Sequence, residues 1–432
     1  MNFGEIYRLE INDTNENGAG IAKYDGMVVF VPELVEGDLA DVRITEIEKS
    51  YAVGVCESLI KSSKYRIESC CSSAKMCGGC SLSHVSYDYE NTIKKNTVRA
   101  AFRKSNLPYD LVEDTVSGNS RTGYRNKIGV HFSLDQKAFG LFRAQSNDVI
   151  PFEGCSICPA IMSDIIRYTN DHPELLAGCG INEIFIRISG EKSITVSLYS
   201  EKKKDISKYS EALKNQFCEI DDIILFNKTK QARSQTYIHD KIYGIDMRFS
   251  SESFRQVNKE AFEKLLGLVH TFAAESEFRY AADLYCGSGI IGLTLAKCFT
   301  EAHFWGIEIN SDAISDAKYN AVSNTIENID FFCGDAASFG RKIPHDIRPE
   351  LIVVDPPRAG LSKAMTDDLK MLSPDRLIYV SCNPQTLARD LKNICGFGYV
   401  IRRVCPVNMF PMTRHCECVA YLTKESYLGA KK

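Results

Sequence analysis

The chain has 432 residues, of which 44% are hydrophobic and 25% charged, as in an ordinary globular protein. No stretch reaches the roughly 18 uninterrupted apolar residues of a membrane span. The N-terminal segment MNFGEIYRLEIND also lacks the basic-then-apolar pattern of a signal peptide. We therefore expect a cytoplasmic protein of two or three domains with no membrane partner.

The formal net charge of −4 does not favour nucleic-acid binding, because contacts to phosphates need Lys and Arg. Local clustering matters more than the total charge. Basic residues cluster in two places, Lys94, Lys95, Arg99, Arg103 and Lys104 in the first, and Lys202, Lys203 and Lys204 in the second. Taken alone, each run is better explained as the solvated face of a helix than as an RNA site.

The first 62 residues contain short apolar runs separated by glycines at strand spacing, such as Gly26-Met-Val-Val-Phe-Val-Pro32 and Leu39-Ala-Asp-Val-Arg-Ile44. This pattern predicts a small five-stranded barrel. Barrels of this size bind nucleic acid in some proteins and are purely structural in others, so the pattern alone leaves both interpretations open.

The middle region, residues 63 to about 250, contains a cysteine cluster, a basic helix near residues 86–105, and strand-like segments at residues 184–188 and 193–198. Its mixed periodicity predicts an α+β domain. From residue 251 to residue 432, short apolar runs alternate with helical stretches, at residues 282–285, 304–308, 351–355 and 377–381. That alternation predicts an α/β, Rossmann-like domain with a parallel, doubly wound sheet.

A cofactor site is predicted where the first strand of this sheet ends. Asp283-Leu-Tyr-Cys-Gly-Ser-Gly289 follows an apolar strand and leads into a helical run, so its glycines let the backbone approach a ligand. Glu308 ends the next strand, where an acidic residue meets ribose hydroxyls in such folds, and Asp335 follows the third. Two glycines instead of three favour S-adenosylmethionine over NAD, because adenosylmethionine has no pyrophosphate.

Two further segments carry the chemistry. Asp355-Pro-Pro-Arg358 and Ser381-Cys-Asn-Pro384 end consecutive strands, so both lie at the carboxyl edge of the sheet. Enzymes that methylate exocyclic nitrogens often carry an aromatic residue after the prolines, and Arg358 stands there instead. A cysteine at this edge suits C5 methylation of uracil, which needs a thiolate to add at C6.

Cys382 is the candidate nucleophile, and we expect the helix that follows it to lower the pKa of its thiol. The alternative is a buried thiol at a strand end. After methyl transfer the C5 proton must leave, and the carboxylate of Glu417 in His415-Cys-Glu-Cys418 is the candidate acceptor. Spacing alone leaves a structural role for Glu417 equally open.

By these motifs the chain resembles the RNA uracil-5-methyltransferases, and among them the iron–sulfur branch that acts on large-subunit ribosomal RNA. The most specific segments are Asp355-Pro-Pro-Arg-Ala-Gly360, Tyr379-Val-Ser-Cys-Asn-Pro384 and Phe410-Pro-Met-Thr-Arg-His-Cys-Glu417. The resemblance implies that the first 62 residues form an RNA-binding TRAM barrel, that Cys382 is the nucleophile and that Glu417 accepts the proton. It also implies a set of cofactor-binding residues, namely Gln256 in Phe254-Arg-Gln-Val-Asn258, Tyr285, Glu308, Asp335 and Asp355. Ile290 departs from members that carry a polar residue after the glycines.

The 17 cysteines are many for a reducing compartment, and their odd number argues against a disulfide framework. Some, such as Cys218, Cys298 and Cys395, we expect to be small buried hydrophobes. Cys71-x5-Cys77-Gly-Gly-Cys80 has spacing suited to three ligands of one metal centre, with a fourth from afar.

Two metal centres are open on spacing alone. Cys77-x2-Cys80 with Cys155-x2-Cys158 makes two pairs suited to zinc. The family resemblance instead implies a [4Fe-4S] cluster on Cys71, Cys77, Cys80 and Cys155. Cys70 and Cys158 are near-duplicates of two of these ligands. We expect the cluster to be structural, because the methyl transfer needs no electron.

Three functions compete at this stage. The first is C5 methylation of a uridine in 23S ribosomal RNA, and the second is the same reaction on the T-loop of transfer RNA. The third is an RNA-binding assembly factor that has kept a cofactor pocket without turnover, against which the intact Cys382 and Glu417 count. In each case RNA is the expected partner, and no obligate protein partner is evident from the sequence.

Overall fold

The computed structural model describes residues 1–190, 193–201, 205–227, 237–250, 255–344 and 346–426. Lys202, Lys203 and Lys204 of the second basic run, and Phe254 of the predicted cofactor motif, lie outside these ranges. Within the described residues, no helix is long and apolar enough to span a membrane.

The first 61 residues contribute six strands, β1 (Ile6–Glu10), β2 (Asp13–Thr14), β3 (Ala19–Tyr24), β4 (Met27–Pro32), β5 (Leu39–Ile47) and β6 (Tyr51–Lys61). They form one sheet in the order β1-β5-β6-β4-β3-β2, so the prediction of five strands missed the two-residue β2. Alternate side chains of β4 and β5, such as Val29, Val31, Val42 and Ile44, are fully buried and form the core of this unit.

The middle region contributes α1 (Ala74–Cys77), α2 (Tyr87–Lys104), β7 (Val116–Ser117), β8 (Lys127–Ser133), β9 (Ala138–Phe142), β10 (Val149–Pro151), α3 (Ala160–Asp171), β11 (Ile181–Ile188), β12 (Ile194–Ser200), α4 (Ser207–Gln216), β13 (Ile220–Asn227), β14 (Tyr237–Ile242) and β15 (Ile245–Ser250). A six-stranded sheet runs in the order β10-β9-β8-β11-β12-β13, and β14 and β15 form a separate hairpin. The predicted helix and both predicted strand segments are present.

The C-terminal region contains α5 (Lys259–Ala273), β16 (Tyr280–Leu284), α6 (Ile290–Cys298), β17 (His303–Glu308), α7 (Ser311–Ser323), β18 (Ile329–Cys333), β19 (Leu351–Val354), α8 (Lys363–Leu372), β20 (Arg376–Ser381), α9 (Pro384–Cys395), β21 (Tyr399–Asn408) and β22 (Glu417–Lys424). Its sheet has the order β18-β17-β16-β19-β20-β22-β21-β7. The pairs from β18 through β20 are parallel, which confirms the predicted doubly wound α/β sheet.

Two features of this sheet position the site. The strand order reverses between β16 and β19, and ligands of open α/β sheets bind at such a switch point. Beyond β20 the pairing turns antiparallel, since β22 runs against both β20 and β21. A strand that runs the other way brings its first residues, rather than its last, to the carboxyl edge of the parallel strands.

The sequence suggested that the basic residues of α2 form one solvated face, but the structure shows otherwise. Lys94 is 1% exposed, and its Nζ lies 3.1 Å from the carboxylate of Glu90, which is also fully buried. Lys95 pairs with Asp114 and Arg99 with Asp110 near the surface. The side chain of Lys94 points into the protein because α2 packs against α9 and β21 of the C-terminal sheet.

Candidate active site

The pairing of β20 with β22 brings the two predicted catalytic residues together. Ser381 at the end of β20 lies opposite Cys418 in the antiparallel ladder. Cys382 is the next residue on one strand and Glu417 the preceding residue on the other, so the ladder places them side by side. Glu417 in turn lies opposite Val407 of β21 and is 4% exposed.

The loop after β19 is tied to the loop after β20. The backbone oxygen of Arg358 accepts hydrogen bonds from Asn383 Nδ2 at 3.3 Å and from Thr386 Oγ1 at 3.2 Å. Asp390 of α9 accepts from the backbone N–H of Leu361 at 2.8 Å. The Asp-Pro-Pro-Arg segment is therefore held on the first turn of the helix that follows Cys382.

These loops line a cavity of about 680 Å³, a size in the range of cofactor and substrate pockets. Six of the seven predicted catalytic and cofactor residues line it, Gln256, Tyr285, Glu308, Asp355, Cys382 and Glu417. Asp335 is not among the described lining residues. Its carboxylate instead caps a short helical turn by accepting the backbone N–H of Ala337 at 3.0 Å.

The predicted cofactor loop has the conformation that its glycines allow. Gly287 has φ +53° and faces open space where a side chain would stand, whereas Gly289 has φ +87° and begins α6. Glu308 accepts hydrogen bonds from the N–H groups of Gly287 at 3.3 Å and Asn310 at 2.9 Å. Asp283 accepts from Gly292 N–H at 2.8 Å. These hydrogen bonds fix the loop on one side, and its open side faces the cavity.

The two carboxyl groups near Cys382, those of Glu417 and Asp355, both have raised pKa values. Burial, with the nearby Asp355 charge, raises the pKa of Glu417 well above its usual range. Burial raises the pKa of Asp355 to about 7. Acids with pKa values moved toward neutrality are suited to proton transfer and mark functional sites.

The expected lowering of the Cys382 pKa is wrong. Burial raises the pKa of this thiol, the Glu417 and Asp355 carboxyls raise it further, and Arg358 opposes them. The first turn of α9 offers little compensation, because Pro384 has no N–H and the N–H of Gln385 is taken by the side chain of Asn383. The thiol is therefore mainly protonated in the free protein at neutral pH.

A buried ionic group supports the segment that leads to Glu417. Lys94 Nζ donates to the backbone oxygen of Phe410 at 3.0 Å and to Asn408 Oδ1. Glu90 accepts the N–H of Met412 at 2.9 Å, and Arg121 lies 3.2 Å from the same carboxylate. No sequence pattern indicated this role, because Lys94 stands within a run of basic residues that is typical of a solvated helix face.

Other cavity-lining residues were also not identified from the sequence. Phe249, Phe262 and Phe410 supply apolar walls, and the imidazole of His415 also lines the cavity. Burial and the nearby Arg358 lower the pKa of His415 to about 4, so its ring is neutral. His415 stands in the quoted Phe410–Glu417 segment, which was the available signal, whereas nothing local marks Phe249 or Phe262.

Every cysteine is a free thiol. Cys218 and Cys298 are exposed and Cys395 half-buried, so their assignment as buried hydrophobes is wrong. Cys71, Cys77, Cys80 and Cys155 are all partly buried. Burial raises the pKa of Cys80 to about 12, and the three others add to it, which places the four thiols in one region.

The sulfur atoms in this region accept hydrogen bonds. The pKa of Cys155 is lowered to about 6 by hydrogen bonds to its sulfur. The largest effect comes from the Cys158 thiol, and smaller ones come from the backbone N–H groups of Ile157 and Cys158. The Gly79 N–H donates to Cys77. Such N–H···S bonds surround metal-bound thiolates. Yet in the described residues no group of three or more His, Cys, Asp or Glu is arranged to hold a metal ion.

The doubly wound sheet, the open glycine loop at its switch point and the acidic residue ending the second strand define the class of α/β methyltransferases. A solved structure of Pyrococcus abyssi tRNA (uracil-54, C5)-methyltransferase in complex with S-adenosyl-L-homocysteine has the same fold. It matches with a TM-score of 0.74 at 23% identity, over 96% of this chain and 99% of that one.

Sequence comparison gives the family. The profile described as tRNA (Uracil-5-)-methyltransferase matches residues 125–425, and the TRAM domain profile matches residues 2–55. An uncharacterized RNA methyltransferase of Halalkalibacterium halodurans is 32% identical, with 98% of each chain covered. Another from Clostridium acetobutylicum is 31% identical, with 97% of each chain covered.

The chain belongs to the tRNA (uracil-5-)-methyltransferase family. It is an RNA methyltransferase with an N-terminal TRAM domain, which confirms the resemblance found from the motifs. S-adenosylmethionine is supported as the methyl donor by the same membership, while the iron–sulfur branch is not confirmed by it.

Proposed function

We propose that this protein methylates C5 of a uridine in RNA through a covalent bond between Cys382 and C6 of the base. The observation that carries the proposal is the β20–β22 ladder, which sets Cys382 beside Glu417 in the wall of one cavity. A buried carboxyl and a half-buried thiol stabilise the fold less than apolar side chains of the same size, so packing gives no advantage to either residue at these positions.

The reaction uses these residues in sequence. The Cys382 thiol loses its proton as the base enters, and its sulfur adds to C6, so that the C5–C6 double bond becomes an enolate. C5 then bonds to the methyl group that S-adenosylmethionine would supply, and the bond from that methyl group to the sulfonium sulfur breaks, which leaves S-adenosylhomocysteine. Glu417 removes the remaining proton from C5, and the electron pair re-forms the double bond and expels the Cys382 thiolate.

The raised pKa values fit this order of events. A thiol that is protonated in the free protein does not react with solutes before the base arrives. Loss of its proton needs a nearby acceptor, and Asp355, whose pKa lies at about 7, is at the end of the adjacent strand. The raised pKa of Glu417 makes its carboxylate a stronger base once it is ionised.

The cofactor residues follow from the cavity. Gln256, Tyr285, Glu308 and Asp355 line it around the open glycine loop, and Glu308 ends β17 as a ribose-binding acid does in this fold. Asp335 belongs to the proposed set as well. Burial raises the pKa of Tyr285 to about 12, and the charge of Asp335 adds to this effect. Asp335 therefore lies near Tyr285.

The substrate and the cysteine cluster form the finer part of the proposal. The cysteine set resembles the branch that acts on 23S ribosomal RNA, which makes a large-subunit uridine the proposed target. Cys71, Cys77, Cys80 and Cys155 hold a [4Fe-4S] cluster of structural role, supported by their shared region and their N–H···S bonds. The division into domains at residues 62 and 250 is part of the same proposal.

The test is methyl transfer from labelled S-adenosylmethionine to unmodified 23S ribosomal RNA and, separately, to unmodified transfer RNA. We expect 5-methyluridine in nuclease digests of the ribosomal RNA. RNA that contains 5-fluorouridine should trap the protein covalently, because fluorine cannot leave as a proton. Methylation of transfer RNA alone would correct the substrate, and a methyl group at any other atom would refute the mechanism.

A further inference from the structure

A second cavity, of about 500 Å³, adjoins the catalytic one. The two share the side chains of Phe249, Arg255, Arg358 and Phe410, so they lie next to each other. The second cavity is lined mainly by the start of β8, the end of β11, the β14–β15 hairpin and the segment that precedes α5. None of its described lining residues is acidic, although the chain as a whole carries a net negative charge.

Two of its cations lie opposite each other in the sheet. Lys127 of β8 and Arg187 of β11 are direct partners in the antiparallel ladder. Like charges in such positions destabilise a sheet. Lys127 is also half-buried, and burial together with Arg187, Arg125 and Arg255 lowers its pKa to about 8. The local field is thus strongly positive.

Arg255 completes the group from a different segment. Its side chain is 8% exposed, and its Nη2 donates to the backbone oxygen of Ile188 at 2.8 Å. The other guanidinium nitrogen, Nη1, has no hydrogen-bond partner and lies 3.6 Å from Asp240. Asp240 also pairs with Lys259 at 3.1 Å, so one carboxylate serves two cations. The guanidinium of Arg255 thus adds a further positive charge to the wall of the cavity, which favours an anion there.

We propose that Lys127, Arg187 and Arg255 bind a backbone phosphate of the RNA next to the target uridine, which rests on the function proposed above. A phosphate is the anion that fits, because it accepts from several Lys and Arg donors at once and is repeated along the substrate. Holding that phosphate fixes the register of the strand while the adjacent base enters the catalytic cavity.

The first test compares Lys127→Gln and Arg187→Gln with Lys370→Gln. Lys370 is exposed on α8, which runs away from the carboxyl edge of the sheet, and serves as the matched control. Each cavity variant should raise the Kd for RNA on the order of 10-fold and lower the slope of log Kd against log salt by about one. Lys127→Arg should restore both, and S-adenosylmethionine binding should not change.

The second test uses RNA in which single phosphates near the target uridine are replaced by neutral methylphosphonates. One position should weaken binding of the wild-type protein, and the same replacement should have no further effect on Lys127→Gln. If every position affects both proteins equally, or if the cavity variants match Lys370→Gln, the phosphate site is refuted. RNA binding is read without turnover, so a failure of the methylation proposal would be seen separately as tight binding without product.

Discussion

The catalytic edge of the C-terminal sheet and the cysteine-rich loops of the middle region both gather reactive side chains, but they do so in different ways. Cys382 and Glu417 are set by backbone pairing, and no ligand is needed to bring them together. Cys77 is the last residue of the four-residue helix α1, and Cys155 lies in a loop at the start of a turn. Strand register can fix a site by itself, whereas cysteines in loops need a bound partner or a disulfide to fix their geometry.

The largest effect on turnover should come from the catalytic edge. Cys382→Ala removes the atom that bonds to C6, so methyl transfer should fall below detection while S-adenosylmethionine binding persists. Single-turnover assays with labelled methyl donor measure the first, and calorimetric titration the second. Near-normal turnover by this variant would remove the covalent step and, with it, the functional meaning of the β20–β22 ladder.

Glu417→Gln should act later in the reaction and lower turnover by about 10²- to 10⁴-fold. Without the carboxylate, the C5 proton stays in place and methylated RNA remains bonded to Cys382. A denaturing gel of protein with RNA labelled through the methyl group should therefore show an accumulating adduct. A folded Glu417→Gln protein that releases product at the wild-type rate would assign the proton transfer to another group, with Asp355 the next candidate.

Lys94→Met tests how much the buried contacts of Lys94 contribute to the active site, in addition to the β20–β22 pairing. Removing the ammonium takes one of several partners from Glu90 and leaves Asn408 Oδ1 without its donor, which should cost about 1–3 kcal/mol of unfolding free energy. Lys95→Met is the matched control, since its ion pair with the exposed Asp114 contributes roughly 1 kcal/mol or less. Denaturant unfolding measures both, and we expect turnover of folded Lys94→Met to fall by less than that of Glu417→Gln. Equal stability of the two variants would contradict the proposed support.

The smallest effect on turnover per folded molecule should come from the cysteine-rich loops. Anaerobically purified protein should be brown with about four irons per chain, and Cys155→Ser should lose that iron. Cys158→Ser should keep the iron, because Cys158 is a hydrogen-bond donor to the proposed ligand Cys155 and is not a ligand itself. One zinc per chain, lost in both variants, would instead favour the two Cys-x2-Cys pairs.

The sequence was informative where function depends on strand ends. The alternation of apolar runs, the glycine loop and the Asp355-Pro-Pro-Arg358 segment predicted the sheet and its ligand-binding edge, since parallel strands end together. It was less informative about environment. The fate of Lys94 and the raised pKa of Cys382 depend on groups far along the chain, such as Asn408 and Glu417, and local patterns do not contain that information.

Because of the pairing between β20 and β22, insertions at two places in the chain should have different effects on the site. The chain between Cys382 and Glu417 passes through α9 and β21 and returns, yet the spacing of the two side chains is fixed by cross-strand pairing alone. Insertions at the turn between α9 and β21 should therefore leave the reaction intact. A single residue added within β22 would turn Glu417 to the opposite face of the sheet. The spacing of Cys382 and Glu417 thus tolerates a change in length at the turn before β21 but not within β22.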